Sequence, residues 1–367
     1  MEALRKLLKW LPAAALALAA FGPAQAEDKV VHIYNWSDYI DPQILKDFTA
    51  ETGIQVVYDV YDSNEILETK LLAGHTGYDL VVPSAEFLGR QIKAGVFQKL
   101  DKSKLPNLSN AWDFVYGKVA TYDPGNEYSV NYMWGTTGIG YNLDKIKERM
   151  PDAPLNSWDM VFKPEVISKF KDCGVEFLDA ASELIPAALN YLGLDPNTTD
   201  TKDIDKATKL LEAVKPYVRK FHSSEYINAL ANGDICLAVG YSGDIVQAKN
   251  RAEEAKQGVN IAYTIPKEGA MMWFDQMAIP ADAPNAGNAL TFMNYMLRPE
   301  VIAKASDYVF YANGNKASQP LISKDITENK NIYPDDETLK KLFIQRPYDA
   351  KTQRYVTRAW TRVTTGH

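Results

Sequence analysis

Short apolar runs alternate with longer amphipathic segments near the start of the chain. The runs at 29–34, 55–61 and 79–82 have the length and composition of buried strands. Each run is followed by apolar residues at helical spacing, and the pair Asp41-Pro42 is typical of a helix start. Three strand–helix units in succession predict an α/β fold with a parallel, doubly wound sheet.

The middle of the chain predicts a second group of helices and strands. Helices are expected at 184–192 and 204–215, and strands at 235–240, 259–265 and 271–279. The strand at 259–265 is expected to return towards the first group, and that at 271–279 to be a buried strand of the first lobe. Such out-and-back connectivity predicts two lobes with a cleft between them.

The predicted lobe boundaries follow from this pattern and from an extended segment at 133–141 that crosses between the two groups. A chain of 367 residues also exceeds what one hydrophobic core usually serves. The first lobe is expected to comprise 27–133 and 257–312, and the second lobe 134–256 and 313–367.

The N-terminus has the features of a secretory signal peptide. Basic residues precede an apolar run at 11–21, and Ala24-Gln25-Ala26 has the small residues that a signal peptidase requires. We therefore expect cleavage after Ala26 and a periplasmic location. No other segment approaches the ~20 uncharged residues needed to cross a bilayer. In an exported chain, Cys173 and Cys236 favour a disulfide over two free thiols.

Charge and motif content exclude several classes of function. The net charge of −7 and the absence of a basic cluster argue against a nucleic-acid partner, and they suit a cationic ligand. The four histidines, His32, His75, His222 and His367, lack metal-ligand spacing. No nucleophile elbow, phosphate loop or zinc motif occurs, so we predict no enzyme activity, metal or cofactor.

Acidic residues stand beside aromatic residues at three predicted strand ends. The three segments are 36–39, 241–244 and 273–275. Each could be an aromatic core residue beside a helix-capping aspartate, but a carboxylate within the apolar strand at 271–279 is costly unless it is paired. Together the segments favour a shared site for an alkyl diammonium ion, because rings contact the methylene chain and carboxylates bind each ammonium.

Several motifs resemble those of the bacterial polyamine-binding proteins, and the likeness is greatest to the putrescine- and spermidine-binding subgroup. The matching segments are 32–40, 58–65, 100–106, 221–224, 240–244, 265–270 and 358–361. The resemblance implies a two-lobed type II periplasmic binding fold that closes over a polyamine and delivers it to an inner-membrane ABC permease. We expect a monomer.

The resemblance also implies a set of ligand-binding residues. Asp38, assisted by Ser37, and Asp275 would bind ammonium groups from the first lobe, and Glu183 and Asp244 from the second. The complete set is Trp36, Ser37, Asp38, Tyr39, Ser84, Glu86, Phe87, Glu183, Ser223, Tyr241, Asp244, Trp273, Asp275, Tyr311 and Gln345. Cys173 and Cys236 match the family's disulfide, which would lie within the second lobe.

Four departures from the putrescine-preferring relatives bear on specificity. They are Glu86, Tyr241, Trp273 and Gln345, where those relatives have a small polar residue, Trp, Phe and an apolar residue. Because Trp273 matches spermidine-preferring relatives and Glu86 offers a carboxylate to a third amine, the sequence slightly favours spermidine over putrescine. A polyamine sensor for a membrane signalling partner and a binder of another small cation remain alternatives.

Overall fold

A computed structural model describes residues 28–256 and 258–366. The predicted signal peptide and its cleavage site after Ala26 lie outside these residues. Within them, every helix is too short or too polar to cross a membrane.

The described residues form ten strands, most of them short. In chain order they are β1 Val30–Trp36, β2 Gln55–Tyr61, β3 Leu80–Val81, β4 Ser129–Asn142, β5 Val175–Phe177, β6 Lys220–Phe221, β7 Leu237–Tyr241, β8 Ile261–Thr264, β9 Met272–Ala278 and β10 Ala312–Asn313.

Helices separate most of these strands. Over the same residues they are α1 Pro42–Thr52, α2 Asn64–Ala73, α3 Ala85–Lys93, α4 Asp113–Val119, α5 Leu143–Arg149, α6 Asp159–Phe162, α7 Pro164–Ile167, α8 Ala181–Tyr191, α9 Thr201–Val214, α10 Tyr226–Ala231, α11 Ser242–Glu254, α12 Ala286–Met296, α13 Pro299–Val309, α14 Lys324–Thr327, α15 Asp336–Leu339 and α16 Ala350–Thr365. Short 3-10 helices lie at Lys102–Lys104, Pro106–Asn110, Ser168–Phe170, Lys215–Tyr217 and Lys316–Leu321.

Two groups of parallel strands are connected by antiparallel ones. Strands β2, β1 and β3 are parallel to each other, as are β6, β5 and β7. Between them lie β9 and the long strand β4, which run antiparallel to their neighbours. The predicted α/β class is confirmed, but the sheet is mixed, because β4 and β9 pass directly between the two groups without a crossover helix.

Strand β4 belongs to both groups. Residues 129–136 pair with β9, whereas residues 137–142 pair with β7 and β8. All fourteen of its residues are buried. The strand is therefore a continuous connection between the two halves of the molecule.

Each half has its own hydrophobic core, which confirms two lobes. The first lobe packs residues of β1, α1 and α12, among them Ile33, Phe48 and Phe292. The second lobe packs residues of α6, α8 and β7. Fully buried aromatic side chains such as Trp158 in the second core bury large apolar areas, so each lobe has its own source of stability.

Two segments pack differently from the predicted lobe boundaries. Strand β8 pairs with the second-lobe half of β4, and Tyr263 is part of the second core. Ile322 and Ile332 pack with Trp134 and Phe274, on the side of the first lobe. In contrast, α16 packs its buried face, which includes Val356, into the second core. Both differences arise from pairing and packing between residues distant in sequence.

The local signals that predict the first helices are present in the structure. The Asp41 side chain accepts a hydrogen bond from the backbone N–H of Gln43, and Pro42 occupies the first turn of α1. Gly53 has a left-handed backbone (φ 71°) and ends the helix. Helix α8 begins at Ala181, earlier than predicted, which places Glu183 in its first turn.

A disulfide links Cys173 and Cys236 within the second lobe. Their Cα atoms are 5.5 Å apart, and the bond joins segments that precede β5 and β7. The predicted disulfide is thus present, and the two cysteines are the only ones in the sequence.

Candidate ligand-binding site

A cavity of about 450 Å³, measured with its mouth to solvent, lies between the two lobes. Strand ends of both lobes meet there, as expected for an α/β sheet. Its walls combine aromatic rings, hydroxyls and carboxylates. The lining residues are Trp36, Ser37, Tyr39, Tyr61, Asp62, Ser84, Glu183, Ser223, Ser224, Tyr241, Asp244, Trp273, Asp275 and Tyr311.

Asp275 is the acid that the first lobe contributes from the middle of β9. Its side chain is 4% exposed and accepts hydrogen bonds from the Ser84 hydroxyl (2.6 Å) and the Tyr39 phenol (2.8 Å). Burial raises the pKa of Asp275 to about 7, although both donors act to lower it. The carboxylate is therefore held in place by neutral donors while its charge remains uncompensated.

Asp244 is the corresponding acid in the first turn of α11, in the second lobe. One oxygen accepts from the Tyr226 phenol (2.6 Å) and the other from the Tyr311 phenol (2.7 Å). Burial raises the pKa of Asp244 to about 6, against the effect of these two donors. Tyr311 follows α13, so residues from three separate elements meet at this carboxylate.

Glu183 is the third buried acid and lies in the first turn of α8. Its carboxylate accepts a hydrogen bond of 2.6 Å from the Thr137 hydroxyl on β4. Burial, followed by the nearby charge of Glu86, raises the pKa of Glu183 well above its usual range. A helix N-terminus favours a negative charge, but here that effect is smaller than the cost of burial.

None of these three acids forms an ion pair with a cationic side chain of the described residues. The ion pairs present there involve other acids. Buried carboxylates are rare unless they are paired, because leaving water costs several kcal/mol per ion. The cavity is therefore an electrostatically incomplete site that a cation would complete.

Aromatic rings form the apolar walls of the cavity. The Trp273 ring packs edge-on against Tyr241 (5.5 Å between centroids) and Tyr311 (5.4 Å). Gly135 allows this position, because a Cβ there would lie 2.7 Å from the Trp273 ring. Tyr39 also packs edge-on against Tyr311, with 5.2 Å between the ring centroids. The result is a continuous aromatic surface suited to an alkyl chain or a cation.

Asp38 is not among the residues that line the cavity. It has a left-handed backbone (φ 55°), and its carboxylate bonds the Arg251 guanidinium of α11 at 2.6 Å. The two side chains are 42% and 33% exposed. Because Asp38 belongs to the first lobe and Arg251 to the second, this pair links the two lobes, and neither side chain lines the cavity.

A second contact crosses the cleft beside it. The Asp62 carboxylate accepts hydrogen bonds from Ser37 in its own lobe (3.0 Å) and from Ser224 in the second lobe (3.3 Å). With the Asp38–Arg251 pair, it holds the lobes in contact around the cavity.

Three further predicted ligand residues also lie outside the central cavity. Glu86 and Gln345 line a separate cavity of about 260 Å³, bounded by α3 and α16. Phe87 is fully buried, and the Arg90 guanidinium lies 3.7 Å from its ring centroid. Burial raises the pKa of Glu86 to about 7. These residues therefore lie outside the central cavity, although Glu86 is near enough to Glu183 and Asp275 for their charges to interact.

Sequence and structure comparisons place the chain among known proteins. Residues 43–334 match the family described as bacterial extracellular solute-binding protein. The chain belongs to that family.

As a solute-binding protein, the chain has close relatives over its whole length. It is 56% identical to a putrescine-binding periplasmic protein of Pseudomonas aeruginosa, over 99% of this chain and 100% of the relative. It is also 56% identical to a putrescine-binding periplasmic protein of Escherichia coli K12, over 99% and 98% of the two chains. A spermidine/putrescine-binding periplasmic protein of Salmonella typhimurium is 37% identical, over 91% and 92%.

Solved structures agree with this assignment. A spermidine/putrescine ABC transporter substrate-binding protein of Streptococcus pneumoniae superposes with a TM-score of 0.73 and 32% identity, over 92% of this chain and 99% of the other. A protein of Listeria monocytogenes gives 0.82 and 32%, over 93% and 100%. The solute-binding protein has the type II periplasmic binding fold, and its relatives are transport proteins and not enzymes, as predicted from the sequence.

Three cavity residues were not identified from the sequence as ligand contacts: Tyr61, Asp62 and Ser224. Tyr61 and Asp62 stand at the carboxyl end of β2, the same sheet edge as Trp36 and Ser37. That placement was available from the predicted strand and could have identified them. Ser224 follows the predicted Ser223 in the matching segment 221–224, but its contact with Asp62 depends on how the lobes meet.

Proposed function

We propose that this protein is the solute-binding component of an ABC importer, that it captures a polyamine between its lobes, and that it delivers the ligand to an inner-membrane permease. The observation that carries the proposal is the set of three buried carboxylates without a cationic partner, Asp244, Asp275 and Glu183, around one aromatic-walled cavity. The names of the 56% identical relatives support the same ligand class.

An alkyl diammonium ion complements the carboxylates and the aromatic walls of this cavity. Its amines have pKa values near ~10, so both remain charged at neutral pH. Each ammonium has three donors for the free lone pairs of Asp275, Asp244 or Glu183, while the methylene chain packs on Trp273 and Tyr241. Charge-assisted hydrogen bonds in a dry cavity supply most of the affinity.

Ligand binding and lobe closure are coupled because the acids come from both lobes. Asp275 belongs to the first lobe, whereas Glu183 and Asp244 belong to the second. Only the closed arrangement lets one ligand reach all three, so the ligand favours closure by its differential affinity. The Asp38–Arg251 pair and the Asp62–Ser224 hydrogen bond then seal the cleft.

Among the polyamines, we propose putrescine as the preferred ligand. The sequence slightly favoured spermidine because of Trp273 and Glu86, but the 56% identical relatives are named for putrescine and give that preference no support. Glu86 does not line the central cavity, so a diamine can contact Asp275, Asp244 and Glu183 without using it.

Titration with separate ligands tests the proposal. Putrescine, spermidine, agmatine and Fe³⁺ are each added to the exported chain, and binding is followed by thermal shift and by calorimetry. We expect the largest stabilisation and the tightest binding with putrescine, and none with Fe³⁺. Failure of every polyamine to bind, or tighter binding of Fe³⁺, would refute polyamine capture. Tighter spermidine binding would refute only the preference for putrescine.

The cellular setting is part of the same proposal. The relatives are named as periplasmic proteins, and the predicted signal peptide would export this chain to that compartment. Fractionation with N-terminal sequencing should recover the chain in the periplasm as a monomer that begins at Glu27. Recovery in the cytoplasm with an intact leader would contradict it.

We also propose revised lobe boundaries. The first lobe extends to about residue 136 in β4, where pairing changes from β9 to β7. The segment with β8 belongs to the second lobe, and the segment 322–332 to the first. Hydrogen exchange with and without ligand should show protection changes that follow these packing boundaries.

A further inference from the structure

Tyr226 lies outside the cavity but touches one of its acids. It is the first residue of α10 and is fully buried. Its phenol donates a 2.6 Å hydrogen bond to Asp244 and accepts a 3.1 Å hydrogen bond from the backbone N–H of Tyr241. The phenol is thus held by the backbone on one side and directed at the carboxylate on the other.

Two glycines create the space for the tyrosines that bond Asp244. A Cβ at Gly240 would lie 2.5 Å from the Tyr226 ring, and a Cβ at Gly243 would lie 2.4 Å from the Tyr311 ring. Real Cβ atoms do not approach other atoms so closely. The segment 240–244 therefore places glycines where each ring must approach the start of α11.

From this arrangement we propose that Tyr226 is a positioning residue: its phenol fixes the Asp244 carboxylate and keeps it ionised for the ammonium group of the ligand. The inference rests on the proposed function and deepens it. Tyr226 does not line the cavity, so its effect on the ligand acts through Asp244, and Gly240 contributes by leaving space for the Tyr226 ring.

The ionisation of Asp244 depends on groups from several elements. Burial and the charge of Asp38 raise its pKa, whereas Tyr226, Tyr311 and Arg251 lower it. Asp275 and Tyr241 also lie close enough to interact electrostatically with the groups at this end of the cavity. Among the groups that lower the pKa, the Tyr226 hydrogen bond has the largest effect, so its removal should raise the pKa of Asp244.

The test compares Tyr226→Phe with a matched control, Tyr116→Phe. Tyr116 is also a buried tyrosine whose phenol accepts a backbone N–H, from Asn131, but it contacts no cavity acid. The putrescine dissociation constant is measured for both variants and wild type from about pH 5 to about pH 8.5, the range in which Asp244 titrates.

We expect Tyr226→Phe to weaken binding by up to roughly tenfold at acidic pH, because loss of a hydrogen bond to a charged group raises the pKa of Asp244 and the ligand binds its ionised form. The pH below which putrescine affinity falls should also be higher in the variant than in wild type. The loss of affinity relative to wild type should therefore grow on acidification and shrink at alkaline pH. A merely structural role would lower affinity equally at every pH. Tyr116→Phe should retain the wild-type profile, and Gly240→Ala should reproduce the shift.

A second measurement does not depend on the ligand. Carboxyl ¹³C NMR of the ligand-free protein, with the Asp244 signal assigned by Asp244→Asn, should show a higher pKa in Tyr226→Phe than in wild type. An unchanged titration together with parallel affinity profiles would overturn the role of Tyr226. If the titration shifts but wild type binds no polyamine, the proposed function fails and the control of Asp244 by Tyr226 stands.

Discussion

Asp275 and Asp38 are two acids of the first lobe that the sequence assigned to the same task, and the structure gives them opposite surroundings. Asp275 is buried, receives only neutral donors and has a raised pKa. Asp38 is 42% exposed and paired with Arg251. Asp275 therefore has no cationic partner among the described residues, whereas Asp38 is paired with a guanidinium.

The two surroundings differ in their effect on stability. An exposed ion pair contributes about 0–1 kcal/mol, because water and salt screen it. A buried carboxylate without a cation destabilises the ligand-free protein, and a bound cation removes that cost. Ligand affinity should therefore depend strongly on Asp275 and weakly on Asp38.

Asp275→Asn should have the largest effect of any single change considered. Breaking a buried charge pair costs about 3–5 kcal/mol, so the dissociation constant for putrescine should rise by roughly two to four orders of magnitude. Calorimetry measures it directly, and Asp38→Asn is the matched control. Equal losses of putrescine affinity in the two variants would show that Asp275 and Asp38 do not differ in their contribution to binding.

The same substitution should stabilise the ligand-free protein at alkaline pH. The folded-state pKa of Asp275 is raised to about 7, so its contribution to stability is complete at low pH and is lost as the pH rises through that value. At pH 8, Asp275→Asn should raise the free energy of unfolding by roughly 1–3 kcal/mol relative to wild type. Thermal melts at several pH values measure this, and a less stable variant at alkaline pH would contradict the account.

Removal of the Asp38–Arg251 ion pair should have a smaller effect on putrescine affinity. Arg251→Met should weaken putrescine binding by up to about fivefold, chiefly through faster dissociation, since the pair seals the closed state without touching the ligand. Added salt should reduce the difference between variant and wild type. Stopped-flow kinetics measure this, and a loss as large as that of Asp275→Asn would place Arg251 in the binding site itself.

Glu86→Gln should have the smallest effect on putrescine. Glu86 lines the separate cavity beside α16, so the dissociation constant should change by less than about twofold, within the range of ordinary surface substitutions. The same calorimetric assay measures the dissociation constant of the variant. A large loss of putrescine affinity would show that the two cavities act as one.

Local features of the sequence were sufficient for the first strand–helix units. Helix α1 begins at Pro42, as predicted, because Asp41 and Pro42 act within one turn of each other. The apolar neighbours of Asp275 likewise predicted a carboxylate within a buried strand, and Asp275 is 4% exposed in β9. Such predictions succeed because the cause lies close in sequence.

Features that depend on contacts between residues distant in the chain could not be predicted from local sequence signals. The antiparallel course of β4 and the place of β8 follow from pairing between strands far apart in the chain. Resemblance assigned Asp38 and Glu86 by residue type, but it does not convey that Arg251 neutralises the first or that the second faces another cavity. The contact of Tyr226 with Asp244 gave no signal, because the two residues belong to different helices.

The most direct test of the account is calorimetric titration of wild type with putrescine near pH 6.5 in buffers of different ionisation enthalpy. If one dication binds three buried acids with raised pKa values, the protons bound to those acids must be released on binding. The observed enthalpy should vary with the buffer and give a net release of roughly one proton or more. Binding with no dependence on the buffer, or with net proton uptake, would contradict the account.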